Sequence, residues 1–486
     1  MTRRLVRFLD ERVGVAPLIR KALRYVFPDH WSFMLGEIAL YAFVVLVATG
    51  IYLTLFYVPS HEHVVYHGGY EPLRGMEVTK AYQSVLDISF DVPVGLVIRQ
   101  AHHWAADVFI AAIVLHALRI FFTGAFRKPR EINYWVGITM LLLALPEGFL
   151  GYSLADDLLS GMGLAIAYAV SLSIPVIGGF STFLAFGGEF PGSSDFFSRM
   201  FIVHVLIIPV TIAALLTVHL VTILRQHHTQ FAGAGRTERN VVGTPMWPGY
   251  ALRSLGLFFA VAAVLFLLGG LVQINPIWEW GPYHVYSGTN GAQPDWYLGW
   301  LIGGLRLMFP FEPHVAGYTV VPNPFWGGAL FPLAVFGYLY AWPFIERRWI
   351  TRDYARHELL DRPRDNPTRT AVGAGVLTWV SLIFVVGSFD RLYFRLELPY
   401  EGQVWIWRFA VIVIPVLVFF LTRKVCRDLR AGDTHPLRGW DGGVVRRTGS
   451  GGYAVERPQP GERDEPEVAV NAPGGEDAAH RPEPRA

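Results

Sequence analysis

The 486-residue chain is 52% hydrophobic and 16% charged, against about 25% charged in ordinary soluble domains, which excludes a typical water-soluble fold. A net charge of +2 argues against nucleic acid or another polyanion as partner, while 14% aromatics suit interfacial belts and large apolar faces. The single cysteine, Cys426, excludes an internal disulfide, a CxxCH-type covalent haem and a four-cysteine iron–sulfur cluster on this chain; its place near the end of the last apolar run reads as inert.

In chain order, a basic leader comes first, over 1–32. Its residues 5–27 read either as an amphipathic helix on the inner membrane surface or as a flexible basic segment. Eight apolar runs follow, at 33–57, 98–123, 135–154, 200–224, 253–274, 325–345, 371–388 and 404–422. Runs of about 18–20 apolar residues cross a bilayer as helices. The first is too long for a signal-peptide core and lacks a small-residue cleavage pattern, so the N-terminus is expected to stay. Arg and Lys collect before the first run and after the second, fourth and sixth, whereas the first and third loops carry Asp and Glu. That asymmetry and the even number of runs predict cytoplasmic N- and C-termini.

The expected fold class is therefore all-α, a polytopic membrane bundle of eight transmembrane helices. Its first four helices form one domain over 33–230, and the other four a second domain over 231–430. Between the fifth and sixth runs, 275–325 is aromatic and rich in Pro and Gly, so a folded external lobe is expected there. The stretch 431–486 turns to Gly, Pro, Arg, Glu and Ala and is expected to be a disordered cytoplasmic tail. No internal repeat is discernible.

Histidines inside the runs carry the chemistry. His102 and His116 stand 14 residues apart in the second run, roughly 1400° of helical turn and about 40° short of four whole turns. His204 and His219 stand 15 apart in the fourth, about 60° beyond four turns. Each pair shares one helix face, its members about 21–22 Å apart. His103 lies about 140° from His116, off that face, and is expected to support a ligand or pack against a loop. The two runs point the same way, so His102 pairs with His204 near the outer face and His116 with His219 near the inner. A macrocycle between helices takes an axial nitrogen from each side, and imidazole is the usual haem-iron ligand. With both axial positions filled, such a haem passes electrons and binds no substrate. Zinc is the competing reading, but sites about 21 Å apart cannot form one cluster.

Gly36 and Gly50 in the first run, and Gly137 and Gly151 in the third, repeat the 14-residue spacing. They read as close approach of a haem edge, or as packing of helices through small residues. Arg99, Arg119 and Arg199 flank the histidines and are candidates for haem propionates, though Arg119 and Arg199 also suit membrane boundaries. Pro209 is expected to kink the fourth helix between its two histidines.

The segments "RQAHHWAADVFIAAIVLHALR" and "SRMFIVHVLIIPVTIAALLTVH", with "GYSLADDLLSGMG" and "QPDWYLGWLIGGLRLMFP", resemble the cytochrome b subunit of quinol–cytochrome c oxidoreductase, bacterial type. The likeness covers roughly 28–345, and the eight-span plan extends it to about 422; the 15-residue interval is similar to the chloroplast and related bacterial branch. The resemblance implies two non-covalent b haems, the low-potential one on His102 and His204 and the high-potential one on His116 and His219. It implies quinol oxidation at the outer face and quinone reduction at the inner. Implied partners are a Rieske iron–sulfur subunit and a c-type cytochrome subunit, in a homodimeric complex joined in a supercomplex with a terminal oxidase, among membrane lipids of a bacterial cytoplasmic membrane. Pro294, Asp295, Trp296 and Tyr297 stand where the family commonly has Pro-Glu-Trp-Tyr, which implies quinone binding with Asp295 and Tyr297 catalytic. Asp is one methylene shorter than Glu, so a bridging water competes with direct contact. Ala155 stands after "GYSL" where the family often has Pro, so that loop is expected to differ. His227, His228 and Arg253 lie near the inner face, as quinone-site groups or as head-group anchors. A stand-alone di-haem quinol dehydrogenase anchor or transmembrane reductase shares the histidines but has no need of the PDWY motif; a haem-free transporter is the non-enzyme alternative.

Overall fold

The computed structural model describes residues 8, 10–12, 14, 16–191, 195–288, 293–388, 395–397, 399–433, 444–447 and 453–456. Eight helices among them are long and apolar enough to cross a membrane: Trp31–Thr54, Gly95–Thr123, Glu131–Ser153, Phe196–Gln226, Met246–Leu271, Phe325–Ile350, Pro367–Gly387 and Tyr400–Ala431. Several overrun the apolar runs, because helical hydrogen bonding continues into polar residues that hydropathy does not detect. The eighth, for instance, runs on past 422 through Arg423, Lys424 and Arg427 to Ala431, whereas the α-helix of the fifth starts at Ala251, close to the expected 253.

The first and second spans meet through small side chains, with Ala39, Ala42, Ala105 and Ala112 buried in one core with Phe109 and Ile110. Small residues let membrane helices approach closely, since lipid supplies no hydrophobic drive between them. The fifth span closes on the second at Gly269, where a Cβ would lie 2.7 Å from the Ala101 nitrogen. Outward faces such as Val210 and Leu220, Phe259, and Ile412 and Phe420 are exposed and apolar, as lipid requires.

Pro209 does not simply kink the fourth span. The turn before it, Val203–Ile207, is π-helical, and α-helix resumes at Ile208. A prolyl nitrogen cannot donate, and the wider turn absorbs one residue. The 15-residue interval then behaves as 14, again about 40° short of four turns, which puts the fourth span in register with the second.

Outside the spans, strands His63–Val65 and Glu77–Thr79 pair antiparallel and lead into the helix Lys80–Phe90. The helix Leu158–Leu172 starts on a capping box between Asp157 and Ser160. Beside Ala155, Asp156 adopts left-handed backbone (φ 52°). Of the segment expected to form an external lobe, Gly299–Leu307 is instead a helix wedged onto the spans. At Gly303 a Cβ would fall 1.8 Å from the Ile383 carbonyl oxygen, and only glycine permits that approach.

At the other end, Arg369 is fully buried with both Glu346 and Asp361 as partners, and Arg130 holds Glu358 and the His357 and His227 carbonyls. In the leader, Ala16–Leu23 is helical, with Ile19, Arg20, Lys21 and Leu23 exposed. The chain separates into Met1–Cys426 and Arg427–Ala486. Most of the expected tail, 431–486, lies outside the described residues, but Val444–Arg447 and Tyr453–Glu456 pair as antiparallel strands rather than irregular chain. Val444, Val445, Tyr453 and Val455 supply the β-branched and aromatic residues that favour this.

Candidate functional site

The His102 and His204 rings face each other with centroids 6.3 Å apart and planes at 83°. Two metal–imidazole bonds of about 2 Å, with about 1 Å from nitrogen to ring centre at each end, span about 6 Å. The gap therefore matches one ligated metal atom. The hydrogen bonds choose the tautomers. Thr49 Oγ1 donates its one proton to the Val45 carbonyl at 2.7 Å, so at 2.9 Å from His102 Nδ1 it accepts. His204 Nδ1 faces two acceptors, the Glu147 carbonyl at 3.2 Å and its carboxylate at 3.0 Å. Both rings thus carry the proton on Nδ1 and present Nε2 as a bare lone pair, the form a metal requires. At the other level, His116 and His219 have buried Nδ1 atoms with no hydrogen-bond partner.

Each paired glycine faces one of these rings. A Cβ at Gly151 would lie 2.6 Å from His204 Cε1, at Gly36 3.2 Å from His116 Cε1, at Gly50 3.3 Å from His102 Cε1, and at Gly137 3.8 Å from His219 Cε1. What approaches these helices is the imidazole itself, and only the last distance is ordinary contact.

The arginines divide. Arg99 donates to Ser89 Oγ and the Asn275 carbonyl, yet its Nη2 is buried without a partner. Arg119 lies 4.3 Å over the Phe33 ring, with Nε and Nη2 likewise buried and unpartnered. Unsatisfied guanidinium N–H groups fit an anion such as a propionate. Arg199 is exposed, five residues before His204. Nδ1 engagement that leaves Nε2 free and a matched ring separation fit a metal between His102 and His204, and the unpartnered guanidinium groups of Arg99 and Arg119 fit propionates. Among the described residues no cluster of three or more His, Cys, Asp or Glu could hold a metal ion as a structural zinc site would.

Asp295 and Tyr297 lie on either side of Trp296 where the turn Trp296–Leu298 begins, next to Pro294. Tyr297 Oη donates to Asp295 Oδ2 at 3.0 Å, and His103 Nε2 meets the same oxygen at 2.8 Å. Burial and the Asp295 carboxylate push the Tyr297 hydroxyl well above the usual tyrosine range. The hydroxyl fits because Gly148 has no side chain; a Cβ there would be 2.5 Å away. Trp296 is exposed at 39%. One turn along from His103, Asp107 is buried with its Oδ1 unpartnered. Sequence reasoning missed Asp107, Thr49 and Glu147, although intramembrane carboxylates are costly enough to mark function.

Past the end of the fourth span, His228 Nδ1 lies 3.1 Å from Tyr25 Oη and the ring packs on Phe27. Burial first, then Arg119 and Arg130, lower the His228 pKa to about 4, so the ring is neutral at pH 7. Phe27 stacks on Tyr250 at 3.7 Å. Beyond it Glu37 accepts from Tyr250 Oη, from Ser254 Oγ at 2.6 Å and from Tyr41 Oη at 3.3 Å. Arg253 and His227 sit at the rim: Arg253 is exposed and pairs with Asp29 at 2.9 Å, and His227 is exposed and stacks on Tyr25.

Residues 107–282 match a family model described as cytochrome b(N-terminal)/b6/petB. The chain is 44% identical over 451 residues to the cytochrome bc1 complex cytochrome b subunit of Streptomyces coelicolor, covering 93% of this chain and 82% of that one. It is 46% identical to the same subunit of Mycobacterium tuberculosis, with 93% and 82% covered, and to that of Corynebacterium diphtheriae, with 93% and 83%. A chain of the solved hyperthermophilic respiratory Complex III superposes with a TM-score of 0.64 at 20% identity, covering 86% of this chain and 100% of that one. At that identity the last likeness is one of fold alone.

Proposed function

This chain belongs to the cytochrome b subunits of bacterial cytochrome bc1 complexes, and from that premise we propose the following division of labour among its residues. The subunit oxidises quinol at the outer face of a bacterial cytoplasmic membrane. One electron goes to a Rieske iron–sulfur subunit and on to a c-type cytochrome subunit; the other crosses to an inner quinone-reduction site. Family membership sets aside the transporter and the stand-alone reductase.

His102 and His204 would hold the outer b haem and His116 and His219 the inner, with Arg99 and Arg119 toward their propionates. When bound, the two haems supply a one-electron relay between the faces. The observation that carries this reading is the 6.3 Å between the His102 and His204 ring centroids, with each Nδ1 engaged, by Thr49 and by Glu147, and each Nε2 left for a metal. Quinol, as substrate, binds beside Pro294, Asp295, Trp296 and Tyr297. The Asp295 carboxylate accepts its hydroxyl proton, while the Tyr297 hydroxyl, held protonated by burial, gives its own proton to Asp295 Oδ2 and keeps its oxygen lone pairs to accept. At the inner end the neutral His228 offers a hydrogen bond to quinone; Arg253, already paired with Asp29, serves the rim.

Basic loops after the second, fourth and sixth spans support cytoplasmic termini. Charge moved inward works against the membrane potential at about 2.3 kcal/mol per elementary charge per 100 mV. The complex is read as a homodimer, in a supercomplex with a terminal oxidase. A pyridine haemochrome assay of the purified complex tests the core of the proposal: two protohaems per copy of this chain are expected, and none would overturn it.

A further inference from the structure

We infer that His103 is a positioning residue of the quinol-oxidation site, holding Asp295 by one carboxylate oxygen so that the other is presented to quinol. The inference deepens the outer-site reading and rests on it. Both donors to the carboxylate converge on Oδ2: the His103 ring at 2.8 Å and the Tyr297 hydroxyl at 3.0 Å. Two donors on one oxygen fix the χ angles of Asp295 and leave Oδ1 to take the proton. The His103 and Asp295 side chains are only 11% and 14% exposed, so water does not compete freely for these bonds.

The sequence explains why such a clamp is needed. Aspartate reaches one methylene less far than the glutamate common at this place, and an unheld short carboxylate would sample rotamers turned from the substrate. A proton acceptor displaced by even about 1 Å can lose a hundredfold in rate. His103 is suited to the task because it follows His102 directly. About 100° of helical turn separates the two side chains, so one rigid helix faces the His204 ring with one residue and the Pro294–Tyr297 turn with the next. The role asked of the ring is geometric.

The test uses the whole complex in native membranes, with quinol kinetics and haem content measured together for His103→Leu, His103→Gln, Asp295→Asn and the double variant His103→Leu with Asp295→Asn. We expect His103→Leu to keep two haems per chain and a near-normal KM while kcat falls about tenfold or more. His103→Gln, whose amide can donate to Oδ2, should recover at least half of that loss on a logarithmic scale. In the double variant the two losses should not add, because one acts through the other. Additive losses, equal loss in the Leu and Gln variants, or an unchanged rate in His103→Leu would each overturn the inference. Should His103→Leu fail to assemble, the Gln variant alone and combined with Asp295→Asn gives the same coupling. An unchanged rate in Asp295→Asn would instead fail the outer-site reading itself, and the inference with it.

Discussion

Thr49 and His102, 53 residues apart, share a 2.9 Å hydrogen bond in which the imidazole donates, because the threonine proton is already committed to Val45. This bond fixes which nitrogen of His102 can bind metal. Changing Thr49→Val removes the acceptor but keeps the shape. Such outer partners typically carry 10–100-fold in metal affinity. Weaker outer-haem retention is expected, with its midpoint potential raised as the imidazole becomes less basic, while the inner haem is unchanged. Redox titration of the two b-type bands checks this.

His204→Leu should remove one haem, the outer, and leave the other. Haemochrome content would fall from two to one per chain. Loss of neither would refute the ligand assignment.

Two glycines make a paired prediction. Gly151→Ala drives a methyl to 2.6 Å from His204 Cε1, whereas Gly137→Ala meets His219 at 3.8 Å. The first should strip the outer haem or halve total haem, and the second should be tolerated. Equal behaviour of the two variants by difference spectroscopy would contradict the packing argument.

Asp295→Ala should slow quinol oxidation by about a hundredfold or more, the usual worth of a general base, with haem content constant. Steady-state quinol–cytochrome c activity measures it; an unchanged rate would remove Asp295 from the mechanism.

Past the end of the third span, Asp156 is buried and accepts from Thr79 Oγ1 at 2.6 Å; burial pushes its pKa up to about 7. The sign follows from the proton count. The fold binds the proton more tightly than the unfolded chain does, so this contribution is fully present below the unfolded carboxylate range. It is lost as pH rises toward about 7. Asp156→Asn should therefore flatten the loss of stability between pH 5 and 8, worth on the order of a few kcal/mol, seen as a smaller fall in detergent melting temperature. A slope identical to that of the unaltered protein would count against it.

The eight spans and the histidine faces were legible in the sequence because both follow from repeats along one helix: about 20 apolar residues for the bilayer, and about 100° per residue for the faces. The glycines were legible as a spacing, but not as seats for the imidazoles. His103 was visible only as a residue off the ligand face; its partner Asp295 stands 192 positions away, and helix periodicity carries no information about a contact between segments so remote. Likewise Thr49 looks like an ordinary span residue, and Glu147 like a costly carboxylate with no visible partner, until other helices pack against them. The exposed position of Arg199, the pairing of Arg253 with Asp29 and the π-turn before Pro209 were equally decided by packing. Local pattern fixes which side chains share a face; only the meeting of helices decides which nitrogen holds its proton, which carboxylate is clamped and which arginine is left with N–H groups to offer.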